Sequence, residues 1–353
     1  MRIALRADAS VVLGSGHVMR CLTLAETLRQ QGDEVRFLCR EEPGHMAGLI
    51  RRRGFACDLL STEMTLAEDA AQSSAVLASG VDLLLVDHYR LDDRWESAMR
   101  SRAKALAVID DLADRRHDCD LLLDQNLMPD MEQRYRGRVP IGCRLLLGPE
   151  YLLLREEFRR LAALTPERDG RLRRLLLFFG GSDPDDLTGR ALDELDSLDP
   201  PLHGDVVIGS GNRQLARLRS RCEQSGGRWL LHVQTERMAE LMAAADLTLG
   251  AGGSSHWERC LLGLPALVVT VAANQVLATR MLDERGACRW LGDVTELSGT
   301  PFRDAVSRYR FEPEALCRMS RIARAIVPPG DGVKKVAAAL RALPESIMEE
   351  ANR

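Results

Sequence analysis

Short, almost purely apolar runs alternate with longer amphipathic stretches along the first half of the chain. Arg2–Asp8, Glu34–Arg40, Val81–Tyr89, Ala105–Asp110 and Asp120–Asn126 have the length and character of strands. Leu83-Leu84-Leu85-Val86 is apolar at every position, as expected of a strand covered on both faces. Between the first two runs, Val18, Cys21, Leu22, Ala25 and Leu28 fall on one face of a predicted helix, and Gly32 is placed to close it. The polar, turn-forming segment Thr165-Pro166-Glu167-Arg168-Asp169-Gly170 predicts a linker. The rhythm then restarts with strand candidates Arg174–Phe179, Asp205–Ile208, Trp229–Val233, Leu247–Leu249 and Leu267–Val271. Alternation of this kind predicts an α/β fold with doubly wound parallel sheets, and the restart predicts two Rossmann-like domains. The expected boundaries are 1–164 and 171–327. A turn at Pro328-Pro329-Gly330, a helix around Val333–Leu343 and a loose tail make up 328–353.

Composition narrows the function classes. A chain of 353 residues exceeds the size at which one core stops growing, which fits two domains. A net charge of -4 and an aromatic content of 4% argue against a large nucleic-acid or acidic-membrane surface. No apolar run approaches the roughly 20 residues of a membrane span. The nine cysteines form no CxxC pair, and the chain opens directly on a strand with no room for a targeting segment. The expectation is a cytoplasmic protein with a small-molecule partner and no nucleic-acid, membrane or obligate protein partner. His117-Asp118-Cys119-Asp120 carries ligand-type atoms but not the spacing of a zinc site, so neither metal nor cofactor is expected.

Ligands of open parallel sheets bind at the carboxyl ends of strands. Three glycine and hydroxyl clusters fall there. The first runs from Asp8-Ala9-Ser10 to Gly14-Ser15-Gly16-His17, before the first helix. Gly14, Ser15 and Gly16 allow close approach of a ligand, although such a triplet alone also fits a plain turn. His17 falls in the first turn, where the helix dipole opposes protonation and a neutral imidazole suits a general base. A packing or capping role fits that position equally well. The second cluster is Gly180-Gly181-Ser182-Asp183, and the third is Gly250-Ala251-Gly252-Gly253-Ser254-Ser255. Both could cradle a diphosphate at a helix start. Glu258 could accept the two hydroxyls of a ribose or merely complement the dipole, and Asn274 and Gln275 offer amides to a phosphate or sugar. Tyr89 would face the first crevice. Asp87, Asp110 and Asp111 could bind sugar groups or simply end strands.

With these residues in place, the chain resembles the UDP-2,4-diacetamido-2,4,6-trideoxy-β-L-altropyranose hydrolases of bacterial pseudaminic acid biosynthesis. The likeness rests on Arg6-Ala7-Asp8-Ala9-Ser10, Gly14-Ser15-Gly16-His17-Val18-Met19-Arg20-Cys21-Leu22, Val86-Asp87-His88-Tyr89, Ile109-Asp110-Asp111 and Leu123-Asp124-Gln125-Asn126. It continues with Gly148-Pro149-Glu150-Tyr151, Phe178-Phe179-Gly180-Gly181-Ser182-Asp183, Gly250-Ala251-Gly252-Gly253-Ser254, Trp257-Glu258-Arg259-Cys260 and Asn274-Gln275. The resemblance implies a GT-B-like pair of Rossmann-like domains facing a deep cleft. It also implies metal-independent, inverting hydrolysis at the anomeric carbon, with His17 as base. Ser15, Tyr89 and Arg155 match the sugar side. The second domain would hold UDP through Gly252, Gly253, Ser254, Glu258 and Asn274. Where a threonine often follows Gly-Gly-Ser in that family, this chain has Ser255 and then His256, which the motif does not explain. Two rivals share the nucleotide half of such a site. One is a GT-B glycosyltransferase using a UDP-sugar donor, and the other is a non-catalytic nucleotide-sugar binding protein.

Overall fold

The computed structural model describes residues 1–328 and 330–351 as two compact units, one of Met1–Leu154 joined by the C-terminal helix and one of Arg155–Pro328. Pro329 of the expected turn and the tail residues Asn352 and Arg353 lie outside the described residues.

The first unit runs β1 (Arg2–Ala7), α1 (Gly16–Gln30), β2 (Glu34–Arg40), α2 (Ala47–Arg52), β3 (Ala56–Leu60), α3 (Leu66–Val76), β4 (Val81–Asp87), α4 (Asp93–Met99), β5 (Ala103–Ile109), β6 (Leu121–Asp124), α5 (Met131–Arg134) and β7 (Arg144–Leu147). Its strands pair in the order β3-β2-β1-β4-β5-β6-β7, all parallel. Ile3, Leu5, Leu83 and Leu85 face one layer with α1, while Ala4, Leu84 and Val86 face the other. Such two-sided burial is why these runs carry almost no polar residues. The order reverses between β1 and β4, which places a crevice at their carboxyl ends.

The second unit runs α6 (Glu156–Leu164), β8 (Arg174–Phe178), α7 (Leu187–Leu195), β9 (His203–Ile208), α8 (Leu215–Gln224), β10 (Trp229–Val233), α9 (Met238–Ala244), β11 (Leu247–Ala251), α10 (Ser255–Leu261), β12 (Ala266–Thr270), α11 (Ala273–Glu284), β13 (Arg289–Asp293), α12 (Pro301–Arg310) and α13 (Pro313–Ile326). Its parallel sheet has the order β10-β9-β8-β11-β12-β13, so the reversal falls between β8 and β11. The expected glycine clusters follow those two strands.

The domain boundary differs from the expected one. Thr165–Gly170 does not join the units, because α6 already belongs to the second. Phe158 is fully buried there among Leu176, Val207, Met238 and Met242. Arg168, inside the expected linker, donates to the carbonyls of Met242, Ala245, Leu262 and Gly263 at 2.6–3.0 Å. One guanidinium thus satisfies carbonyls left open at the ends of α9 and α10. Nor is 328–353 a separate tail. The helix α14 (Gly332–Ala351) returns to the first unit, where Val333, Val336, Ala337 and Leu340 join Val18, Cys21 and Leu24 in one core. Gly332 is required at its start, since a Cβ there would come within 2.6 Å of the Leu152 carbonyl oxygen.

This packing predicts that Leu340→Ala costs about 2–5 kcal/mol. Hydrogen exchange should show β1 and α1 losing protection while β8 and β11 keep theirs. Equal loss in both units would contradict the assignment of α14 to the first.

Candidate active site

At the end of β1 the chain must turn into α1 within a few residues. The Ser10 hydroxyl accepts from the amides of Val12 and Leu13, and the Gly14 amide closes the turn on the Ser10 carbonyl. Ser15 is exposed at the helix start and makes no side-chain cap. His17 follows in the first turn and is 7% exposed. Its Nε2 lies 4.0 Å from Asp87 Oδ1, beyond hydrogen-bond reach, and its ring meets the edge of Tyr89 at 4.4 Å between centroids. Among the described residues of the first unit, the imidazole has no hydrogen-bond partner. Burial lowers its pKa; Asp87, Asp111 and Asp8 oppose that, and Arg20 adds to it. The result is a neutral ring.

Arg20 sits three residues along the same helix and therefore on the same face. It donates to both oxygens of Asp87, at 2.6 Å each, and to Asp111 Oδ2 at 3.3 Å. The resemblance assigned it no role, and its i+3 spacing from His17 was the signal in the chain. Asp8 and His88 are committed elsewhere. Asp8 accepts from Arg6, from the Arg40 amide and from His88 Nε2. Burial opposes its charge, yet Arg6 and His88 outweigh it and hold the carboxyl well below the usual range. His88 Nδ1 accepts from the Arg90 amide, which leaves the ring proton on Nε2. Asp69 completes this buried group by accepting from Arg6, Arg40 and Trp95.

A third group lies after β5. His117 Nδ1 donates to Glu96 at 2.7 Å, and its Nε2 lies 3.8 Å from Asp110. Burial works against its charge, but Asp110 and Glu96 outweigh it and raise its pKa to about 9. The ring thus ties the segment after β5 to α4. Among the described residues, no cluster of three or more His, Cys, Asp or Glu could hold a metal ion. Tyr135 donates to the Asp110 carbonyl and approaches the carboxylates of Asp110 and Asp124, while burial lifts Asp124 to about 7.

In the second unit, the loops after β8 and β9 touch. Gly181 accepts from the Gly209 amide at 2.9 Å, and a Cβ on Gly209 would sit 2.9 Å from that same oxygen. Asp183, which follows the half-buried Ser182, caps α7 by accepting from the amides of Leu187 and Thr188. After β11, Gly253 has φ +98, a conformation that favours glycine, and Gly252 lies against Gln275 and Thr279 of α11. Ser254 is exposed. His256 now has an explanation. Its Nε2 bonds Thr279 Oγ1 at 2.9 Å, and its Nδ1 accepts from Arg259, which also donates to the Ala251 carbonyl. Burial, with Arg259, holds this imidazole well below its ordinary pKa. The neutral ring thereby fastens the glycine loop to α11.

Glu258 is partly buried and pairs with Arg155 at 3.0 Å. Arg155 belongs to the second unit, where it stands beside Glu258 and over the ring of Phe158. Asn274 is exposed in the first turn of α11. Gln275 is in part structural, because its Oε1 accepts from the Val271 amide.

No protein-family model matches the chain. It is similar to the UDP-2,4-diacetamido-2,4,6-trideoxy-beta-L-altropyranose hydrolase of Campylobacter jejuni, with 26% identity over 81% of this chain and 97% of that protein. An uncharacterized protein of Methanocaldococcus jannaschii is 26% identical over 76% of this chain, and the match spans only 55% of that longer protein. Among solved structures, Acinetobacter baumannii MurG superposes with a TM-score of 0.67 at 15% identity, covering 96% of this chain and 99% of that one. Arabidopsis thaliana UGT89C1 complexed with UDP gives 0.65 at 11% identity, again over 96% and 99%. The glycotransferase of kitacinnamycin gives 0.63 at 16%, over 97% and 98%. The resemblance read from the motifs and the GT-B-like α/β fold are both borne out.

The His117 group makes stability depend on pH. Its folded pKa of about 9 lies above the ordinary 6.5, so its stabilisation is complete below about pH 6.5 and is lost as pH rises through 9. The shift corresponds to up to about 3 kcal/mol. Urea unfolding at pH 6.5 and 9.5 should show that loss in the wild type, and His117→Gln should flatten it.

Proposed function

We propose that this chain hydrolyses a UDP-linked sugar at its anomeric carbon with inversion, releasing the free sugar and UDP. The substrate proposed is UDP-2,4-diacetamido-2,4,6-trideoxy-β-L-altropyranose, a step in pseudaminic acid biosynthesis. The observation that carries this reading is His17, a buried, neutral imidazole with no hydrogen bond among the described residues of its unit, at the reversal point of a parallel sheet. The named activity of the Campylobacter jejuni relative supports the choice of substrate.

In this reading His17 takes a proton from water, and the water oxygen attacks the anomeric carbon opposite UDP. The glycosidic C–O bond breaks, and both electrons leave with the UDP oxygen. A diphosphate leaves readily, so no paired carboxylate is required. The imidazolium that forms stands near Asp87, Asp111 and Asp8, whose charges stabilise it. Ser15, Tyr89 and Arg155 would line the sugar side. Gly14, Gly16, Gly181, Ser182, Gly252, Gly253, Ser254, Glu258, Asn274 and Gln275 would hold UDP.

A glycosyltransferase reading draws on the fold shared with the kitacinnamycin glycotransferase and with UGT89C1, which was solved with UDP. One experiment separates the readings. The protein is incubated with the UDP-linked diacetamido sugar and no acceptor, and the products are followed by NMR. Release of free sugar with an inverted anomeric centre is expected, and His17→Ala should lower it by about 10²–10⁴-fold. No release without an acceptor would favour the transferase, and UDP binding without turnover under any condition would favour a binding protein.

Two further outcomes follow from the same geometry. Because the His17 pKa is lowered, kcat/KM should stay flat through neutral pH and fall only below about 6.5, the ordinary histidine value. Glu258→Gln should weaken UDP binding roughly tenfold by calorimetry, the scale of a hydrogen bond to a charged group. An unchanged affinity would assign Glu258 to its ion pair with Arg155 alone.

A further inference from the structure

Asp87 is the carboxylate nearest His17, yet it does not serve the ring. Both of its oxygens accept from Arg20, through Nε and NH2 at 2.6 Å, and Cys21 Sγ approaches the same carboxylate at 3.6 Å. The histidine is left 4.0 Å away. Arg20 is itself buried and held from a second side by Asp111, whose other carboxylate oxygen is buried without a partner. Among the described residues of the first unit, the charged and titratable groups facing His17 are Asp8 after β1, Arg20 on α1, Asp87 and Tyr89 at the end of β4, and Asp111 after β5. Asp8 is saturated by Arg6, Arg40 and His88. Of the three carboxylates, Asp87 alone lies within 4.0 Å of a ring nitrogen, and Arg20 occupies it.

We propose that Arg20 is a positioning residue that withholds the Asp87 carboxylate from His17, keeping the imidazole uncommitted and available to accept a proton from a bound nucleophile. The arrangement is the reverse of an acid held against its base by a hydrogen bond. Two carboxylates and one guanidinium leave the site one positive charge short, and the proton arriving on His17 supplies that charge. Were Arg20 absent, Asp87 would take the ring as its partner and hold it protonated. An opposite charge at such a distance shifts a titration by about 1–3 pH units. This inference rests on the reading of His17 as the base, but its primary test does not need turnover.

The test is a titration of the protein labelled with ¹³Cε1-histidine, with the His17 resonance identified by its loss in His17→Gln. In Arg20→Met the His17 midpoint should rise by about 1–3 pH units relative to wild type. Arg20→Lys should raise it by less, because an ammonium is a point charge and leaves one Asp87 oxygen free. Asp87→Asn should not raise it, and Arg20→Met combined with Asp87→Asn should cancel the rise, which identifies Asp87 as its source. The acid limb of kcat/KM should move with the midpoint. A midpoint unchanged in Arg20→Met, or a rise that persists in the double variant, overturns the proposal. If Arg20→Met does not fold, Arg20→Lys decides alone, since an unmoved midpoint there overturns it equally. Midpoints that shift as expected in a protein that releases no sugar would overturn the hydrolase reading and leave this one standing.

Discussion

A guanidinium sealed on an interior strand of the first sheet is the constraint around which that unit is arranged. Arg6 lies on β1 with no exposure, so its charge must be met within the fold. Asp8 meets it two residues along the same strand, and Asp69 meets it from α3. Each of these carboxylates has further capacity, which draws in Arg40 from β2, His88 from beyond β4 and Trp95 from α4. A buried ion network of this kind adds little net stability over an apolar core, whereas removing one member costs about 3–5 kcal/mol. Its effect is on geometry. The ends of β1, β2 and β4 cannot slip relative to one another, and His17 and Tyr89 extend from the ends so fixed.

The two units divide their chemistry. The first gathers buried titratable side chains at its strand ends, in three groups around Arg6, Arg20 and His117. The second places glycines and small hydroxyls at the corresponding ends, and its buried polar contacts serve to fix backbone. His256, Thr279 and Arg259 hold the loop after β11, and Asp183 holds the helix after β8.

Much of this was legible in the chain. The ten expected strands all form, because runs such as Leu83–Val86 are buried on both faces and leave no room for ambiguity. The three strands not anticipated are β3, β7 and β13, each at the edge of its sheet. An edge strand is half exposed, so Arg144, Asp58 and Arg289 interrupt the apolar pattern that would announce it. The clusters at the sheet reversals were readable from glycine and hydroxyl spacing. The partners of each charge were not. Asp87 and Arg20 are 67 positions apart, and nothing local to either shows that they meet. The expected linker failed for a related reason, since its polarity reflects Arg168 reaching inward to carbonyls rather than outward to water.

The path of the chain between the units bears on how the protein is made. The first unit lacks α14 until the ribosome has synthesised all of the second unit, and the surface that helix covers includes Val18, Cys21 and Leu24. The second unit, by contrast, is complete in sequence before α14 emerges. Vectorial synthesis therefore inverts the order in which the units can finish folding: the one begun first is sealed last. Until α14 is made, the nascent first unit presents an apolar groove along α1. The arrival of α14 then closes that groove, and it ties the completion of the histidine-bearing half to the synthesis of the rest.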